Sequence, residues 1–310
     1  MNNIKYLRII TNESCNLNCF FCHKEGVSEK ETGLISFTNM KKIIDILVMA
    51  GIQKIKLMGG EPTLYPYIDD LILYIRNNYP LIDISMISNG IASQRKYESI
   101  INSGIKRINI SLHGFDSQKF QETTNCNPKL IEKTVNNILF LKKLGILGKV
   151  NYVILKNNNE DEFFKVLDFV HENDIVLDVL NYLSEEEDNI HKYYYSFEEI
   201  IQLIEKRYTI IKSNDYVNIN SLPSRRLYLL GGGIINLKVH QLAEQGYMKS
   251  CEHCTKKKFC KEGIAAIRLT TKGLLKPCLF REDNTYDIIS LIEKPKDECV
   301  TIIKKYFDIL

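Results

Sequence analysis

This 310-residue chain has little net charge, no long apolar run, no leader-like start and no repeat beyond an alternation of strands and helices. Each absence removes a class of function. Forty-one lysines and arginines against 38 aspartates and glutamates leave +3 at pH 7, too slight an excess for a specific nucleic-acid footprint. No apolar stretch reaches the ~18 residues that read as a membrane span. The first ten residues lack the charged-then-apolar order of a secretory leader and run straight into a strand pattern. The expectation is a cytoplasmic protein with no membrane partner. Its 45% hydrophobic and 25% charged residues are ordinary for a globular chain, long enough for one large domain and a small one. Nine cysteines in a reducing compartment point to metal binding or catalysis more than to disulfides.

The order of elements gives the fold class. Strand patterns over 4–11, 52–58, 82–87, 105–112, 150–155 and 175–180 alternate with helical periods. In the first helix Met40, Ile43, Ile44 and Leu47 form one stripe, with Thr38 as the expected N-cap and Gly51 as the stop. Further helices are expected over 67–78, 94–103, 129–144, 160–172 and 197–212. Six β/α units argue for a parallel sheet with right-handed crossovers. Six are too few to close an eight-unit barrel, so the expectation is an α/β chain with a partial (β/α)6 TIM-like barrel over 1–214. Residues 215–310 are expected to form a small C-terminal α+β domain. It holds β-structure broken by Gly231-Gly232-Gly233, a cysteine-rich stretch, a hairpin over 264–280 and an amphipathic tail interrupted at Pro295.

The chemistry-bearing residues fall at strand ends. Cys15, Cys19 and Cys22 have C-x3-C-x2-C spacing directly after the first strand. They offer three thiolates where an iron–sulfur cube takes four, leaving one iron open. With His23 they could instead make a Cys3His zinc site. After the second strand come Gly59-Gly60-Glu61-Pro62, where glycines permit close backbone approach and a carboxylate can receive an ammonium group. Ser88-Asn89 and Ser111 end the third and fourth strands, residues that also serve simply as strand terminators. Cys251, Cys254, Cys260 and Cys278 supply four more thiolates, enough for zinc or for a [4Fe–4S] cluster.

The first motif, with Phe21 before its last cysteine, resembles the signature of the radical S-adenosylmethionine (SAM) superfamily. The resemblance implies a cluster on Cys15, Cys19 and Cys22 whose open iron chelates SAM, reductively cleaved to a 5′-deoxyadenosyl radical. It implies that Phe21, Gly59, Gly60 and Glu61 bind SAM, Glu61 at the amino group, with Ser88, Asn89 and Ser111 at the ribose and carboxylate. It also implies a reductant such as flavodoxin or ferredoxin.

Residues 227–233, 251–254 and 267–280 are similar to the auxiliary-cluster domain (twitch or SPASM type) of the MoaA-like branch, which includes the GTP cyclase of molybdenum-cofactor biosynthesis. That implies a second [4Fe–4S] cluster. Several positions depart from the branch. Asp178 stands where strand six should carry arginine, Ala266 replaces another arginine, and Lys56 replaces a third. Cys260 is an added candidate ligand, and the Gly-Gly tail is missing. A carboxylate facing a triphosphate is repulsive. The expectation is therefore a radical SAM enzyme that abstracts hydrogen from a C–H bond of a small-molecule or short-peptide substrate, bound near Arg8, Lys56, Lys156, Asp178 and Arg268. GTP cyclisation is the first alternative, and a non-catalytic zinc protein the second. Cys126 and Cys299 are read as structural, Lys256-Lys257-Lys258 as a solvated loop, and His113 as a packed imidazole more than a proton carrier.

Overall fold

The computed structural model describes residues 5–27, 34–184, 186–216, 223–238, 251, 253–255 and 266–310. Six parallel strands form its centre: β1 (Tyr6–Ile10), β2 (Lys54–Met58), β3 (Asp83–Ser88), β4 (Ile108–Ser111), β5 (Leu147–Ile154) and β6 (Val176–Asn181). The crossovers include α1 (Phe37–Met49), α2 (Ile68–Asn78), α3 (Gln94–Asn102), α4 (Ser117–Thr124), α5 (Leu130–Lys143) and α6 (Glu160–Glu172). A short α7 (Glu187–Tyr193) and α8 (Phe197–Glu205) follow β6. This is the expected partial barrel, and its reason is the expected one. Met40, Ile43, Ile44 and Leu47 are buried on α1, and Phe163, Val166, Leu167 and Val170 on α6, against a sheet rich in isoleucine and leucine.

Two local expectations are corrected. Ser36, not Thr38, caps α1, its side chain accepting from Asn39 N at 3.2 Å. The helix expected over 197–212 ends at Glu205, and β7 (Ile210–Tyr216) follows. Ser196 and Glu199 close a reciprocal capping box that fixes the start of α8. Ile210 and Ile211, which prolong the helical stripe in the sequence, instead enter an antiparallel pair with β8 (Ser224–Leu229).

The strands after residue 216 join both edges of the barrel sheet. β9 (Ile234–Lys238) lies parallel to β6 and antiparallel to β8. β10 (Ile267–Leu269) lies parallel to β1, followed outward by β11 (Leu274–Lys276) and β12 (Tyr286–Asp287). One twelve-stranded sheet results, in the order β12-β11-β10-β1-β2-β3-β4-β5-β6-β9-β8-β7. The tail helix α9 (Lys296–Ile309) begins directly after Pro295 and packs on α1.

Register places a polar belt among these apolar strands. Arg268 pairs with Arg8, Arg8 with Lys56, and Lys56 with Ser85. Farther along, Asn109 pairs with Lys149, while Asn151 pairs with Asp178 and Asp178 with Asn236. Polar side chains in a doubly covered parallel sheet are costly unless something meets them. Ser85 Oγ and Asn109 Oδ1 are buried with no hydrogen-bond partner among the described residues.

Candidate active site

The loop carrying Cys15, Cys19 and Cys22 leaves the C-terminal end of β1, where the βα loops gather. It is tied to the end of α4 by Asn18 N to the Thr124 carbonyl (2.9 Å) and Phe20 N to the Thr123 carbonyl (3.2 Å). Cys126 Sγ donates to the Asn16 carbonyl at 3.3 Å, so this thiol braces the motif. Leu17 anchors the loop in a small apolar cluster with Ile91, Phe120 and Ile131. The three motif cysteines line a cavity of about 370 Å³. Backbone N–H groups of Leu17 and Lys24 point at Cys15 Sγ and Cys22 Sγ, both at 3.4 Å. Donors aimed at sulfur suit an anionic, metal-bound thiolate, so this set fits a thiolate-ligated cluster. Burial pushes all three thiols up, and at Cys19 the neighbouring Cys22 and Cys15 add to the shift.

The Gly59-Gly60-Glu61 turn packs on the segment that leads into Cys15. Gly60 N donates to the Asn12 carbonyl and Glu61 N to the Ser14 carbonyl, both at 2.8 Å. A Cβ at Gly59 (φ +148°) would stand 2.4 Å from the Asn12 oxygen, and one at Gly60 2.2 Å from the Ser14 oxygen. The glycines therefore permit loop-on-loop contact, and both also line the cavity. Glu61 is buried and its carboxylate is already engaged. Oε1 accepts from Thr63 N (3.1 Å), Thr63 Oγ1 (2.7 Å) and Ser88 Oγ (2.8 Å), and Oε2 from Asn89 N (2.7 Å). Burial raises its pKa despite those bonds. Glu61 thus welds the second βα loop to the third, and Oε2 keeps room for one further donor. Asn89 Nδ2 continues the chain to Asn16 Oδ1 (2.5 Å) and Cys15 Sγ (3.8 Å). Ser111 and Phe21 line the same cavity. The Phe21 ring lies 5.3 Å from that of His113, whose pKa desolvation lowers to about 4. The imidazole packs on Phe21, as expected, and also lines the cavity in its neutral form.

The opposite wall is cationic. Arg8, Lys56, Lys149 and Lys238 line the cavity, with Lys54 at its margin. Beneath them Glu25 accepts from Arg268 Nε at 3.0 Å and pairs with Arg8 at 3.5 Å. Burial alone would raise the Glu25 pKa, but Arg268, His23 and Arg8 outweigh it and hold it at about 2. Lys24, Glu25 and Gly26 are three successive left-handed residues, a strained path that turns Glu25 inward beneath the wall.

Asp178 differs from its expected role. It is buried between Lys149 and Lys238 (3.6 Å to the latter) and accepts from Asn236 Nδ2 at 2.7 Å. Burial opposes its ionisation, yet the two lysines keep its pKa low. Its charge is thus internally matched and does not face the cavity bare. Lys156 departs too: it lies outside the cavity wall, paired with Glu199 and over the Tyr195 ring. Lys149 and Lys238 are the functional candidates missing from the sequence reading.

Of the second cysteine set, Cys251 and Cys278 pack against the main core, and Cys254 N donates to the Cys251 carbonyl at 3.2 Å. Arg281, held by Asp283, reaches the Cys254 thiol and so joins it to the chain just beyond Cys278. Cys260 and Lys256-Lys257-Lys258 lie outside the described residues. Cys299 is buried and donates to the Leu291 carbonyl at 3.0 Å. No described helix is long and apolar enough to cross a membrane.

Residues 9–170 match the model of the radical SAM superfamily. A probable GTP 3′,8-cyclase of Methanococcus aeolicus is 29% identical over 98% of this chain and 97% of its own length. The probable GTP 3′,8-cyclase of Thermoplasma volcanium is 30% identical over 89% of this chain and 80% of its own. Among solved structures, Streptococcus suis SuiB bound to the precursor peptide SuiA superposes with a TM-score of 0.64 at 18% identity, covering 96% of this chain. The chain spans 64% of SuiB's length. Native anSMEcpe with bound AdoMet gives a TM-score of 0.59 at 15% identity, covering 94% of this chain and 82% of its own. At those identities the likeness is one of fold.

Proposed function

The chain belongs to the radical SAM superfamily, and from that premise we propose that it is a GTP 3′,8-cyclase. As an enzyme of that superfamily it uses a [4Fe–4S] cluster and SAM, so the zinc-only reading falls. Peptide or natural-product modification, the leading expectation from sequence, is overturned as well. Relatives named GTP 3′,8-cyclases match along nearly the whole chain, whereas the peptide-bound SuiB likeness reaches only 18% identity. Asp178, expected to repel a triphosphate, is instead matched by two lysines before any substrate arrives.

The observation that carries the proposal is the charge of the cavity wall. Arg8, Lys54, Lys56, Lys149 and Lys238 line it against three carboxylates, Glu25, Glu61 and Asp178, with Arg268 behind the wall on Glu25. An enclosed cationic surplus has little use for a neutral substrate and suits a polyphosphate. When bound, the cluster and SAM supply a 5′-deoxyadenosyl radical that removes a hydrogen atom from the substrate. Cys15, Cys19 and Cys22 hold the cluster. Glu61, Ser88 and Asn89 fix the loops around SAM, and Phe21, Ser111 and His113 line the space beside it. The cationic wall fixes the phosphates and so sets which sugar carbon faces the radical source, a positioning effect. Cys251, Cys254 and Cys278, in the unit from 215 to 310, hold the second cluster, with Cys260 the candidate fourth ligand.

The test is anaerobic turnover of reconstituted protein with SAM, a strong reductant and GTP. The expected products are 5′-deoxyadenosine and a guanosine nucleotide carrying a C3′–C8 bond. SAM cleavage that GTP does not stimulate, with GTP recovered unchanged, overturns the proposal.

A further inference from the structure

The cationic wall draws on a strand that no local sequence pattern connects with the barrel. β9 lies beside β6, with Asp178 opposite Asn236 and Val179 opposite Leu237. Strand alternation then puts Asn236 and Lys238 on the same face as Asp178, toward the cavity. Lys238 is half-buried there, and burial lowers its pKa while Asp178 pulls the other way. Lys149 approaches the same carboxylate from β5, on the other flank of β6. Asp178 is thus gripped from both neighbouring strands, and its third contact, Asn236, completes the set. One negative charge shared by two ammonium groups leaves one positive charge for the cavity. Arg8 faces the same space but is paired with Glu25, and Lys56, enclosed among these cations, has its pKa lowered by burial.

We propose that Lys238 supplies, from β9, the cation that β6 lacks, binding an anionic group of the substrate together with Lys149. Asp178 is the positioning residue that keeps the two ammonium groups side by side. This rests on the anion-binding part of the function proposed above and assigns it to particular residues. The arrangement has a consequence opposite to simple repulsion. Removing the Asp178 charge frees both lysines, and two unmatched ammonium groups in a low-dielectric wall drift apart or lose a proton. The site then weakens although its formal positive charge rises.

The experiment titrates inorganic tripolyphosphate into anaerobic holoenzyme by calorimetry, with SAM binding as a control for folding. Losing one charge-assisted contact predicts roughly a 10- to 100-fold weaker tripolyphosphate affinity for Lys238→Met, with SAM affinity unchanged. Lys238→Arg should restore most of it. Asp178→Asn should weaken tripolyphosphate several-fold. Wild-type affinity in Lys238→Met, or no tripolyphosphate binding by the wild type, overturns the inference. Tighter binding by Asp178→Asn overturns the positioning role. If tripolyphosphate binds through Lys238 but GTP is not cyclised, the site assignment stands and the cyclase reading falls.

Discussion

Arg268 Nε donates to Glu25 Oε2 at 3.0 Å, across 243 positions of sequence. The bond joins the turn just after Cys22 to β10, so the cluster-bearing loop and the C-terminal strands share one buried ion pair. Glu25 ionises at about 2 in the fold, below its ordinary 4.5. A depressed carboxylate contributes stability above its unfolded pKa and loses it as pH falls toward its folded one. Glu25→Gln should cost about 3 kcal/mol at pH 7, and the difference from wild type should vanish between about pH 4.5 and 2. Denaturant midpoints for the two proteins across that range check this. A constant difference would mean that the pair contributes no pH-linked stability.

Glu61 makes a second prediction, because its four donors come from Thr63, Ser88 and Asn89. Glu61→Gln places an NH2 group against donors, which should destabilise the fold by about 1–3 kcal/mol. SAM affinity should fall as well, since the cysteine loop and the loop after β3 lose their weld. Thermal denaturation run beside SAM titration separates the roles. Weaker SAM binding at full stability would mark Glu61 as a direct ligand contact only.

Lys56 is enclosed, and burial together with Lys149, Arg8 and Lys238 lowers its pKa well below that of an ordinary lysine, with Asp178 opposing only in part. Tyr6 on β1 adds a ring 5.7 Å from the amine. An arriving phosphate favours the charged amine, so binding should take up a proton and weaken as pH rises. Calorimetry of GTP binding in buffers of different ionisation enthalpy measures that proton. Heats independent of buffer would assign Lys56 a fixed charge.

Lys149 within β5 and Lys156 just beyond it should behave oppositely. Lys156 pairs with Glu199 at a partly exposed site, where such pairs contribute less than about 1 kcal/mol. Lys156→Ala should keep turnover within about twofold, whereas Lys149→Ala should lose at least tenfold in kcat/KM for GTP through the missing charge-assisted contact. Equal losses in both would put Lys156 back in the active site.

Iron content tests the second cysteine set. Reconstituted protein should carry about eight irons, and a Cys15→Ala/Cys19→Ala/Cys22→Ala variant about four, as two cubane clusters require. Zinc in the variant, or no iron left in it, would remove the auxiliary cluster from the proposal.

The barrel was legible because local period carries it: isoleucine-rich strands and helices with one apolar stripe alternate without ambiguity from 6 to 181. The misread stretch at 206–212 shows where that signal ends, since Ile210 and Ile211 fit a helical stripe and a strand equally well. Pairing partners decided it. The cysteine triad was legible from spacing, but what Glu61 and Asp178 do was not. Their partners Ser88, Lys149 and Lys238 are 27, 29 and 60 positions away, distances no local pattern spans. One signal was available. Lys149 and Asn151 alternate with Val150 and Tyr152 in a strand otherwise apolar, and an alternating polar face in a doubly covered sheet points inward.

The attachment of β9 to β6 and of β10 to β1 also bears on how the chain comes off the ribosome. By the time residue 216 has emerged, all six barrel strands exist, yet both outer ones present bare N–H and C=O rows. Their covers lie at 234–238 and 267–269, so closure waits for tens of further residues at roughly 5–20 per second. For those seconds the nascent barrel is open to pairing with a neighbour on the same polysome. Slowing translation between 216 and 269 should therefore raise aggregation more than the same delay placed after residue 287.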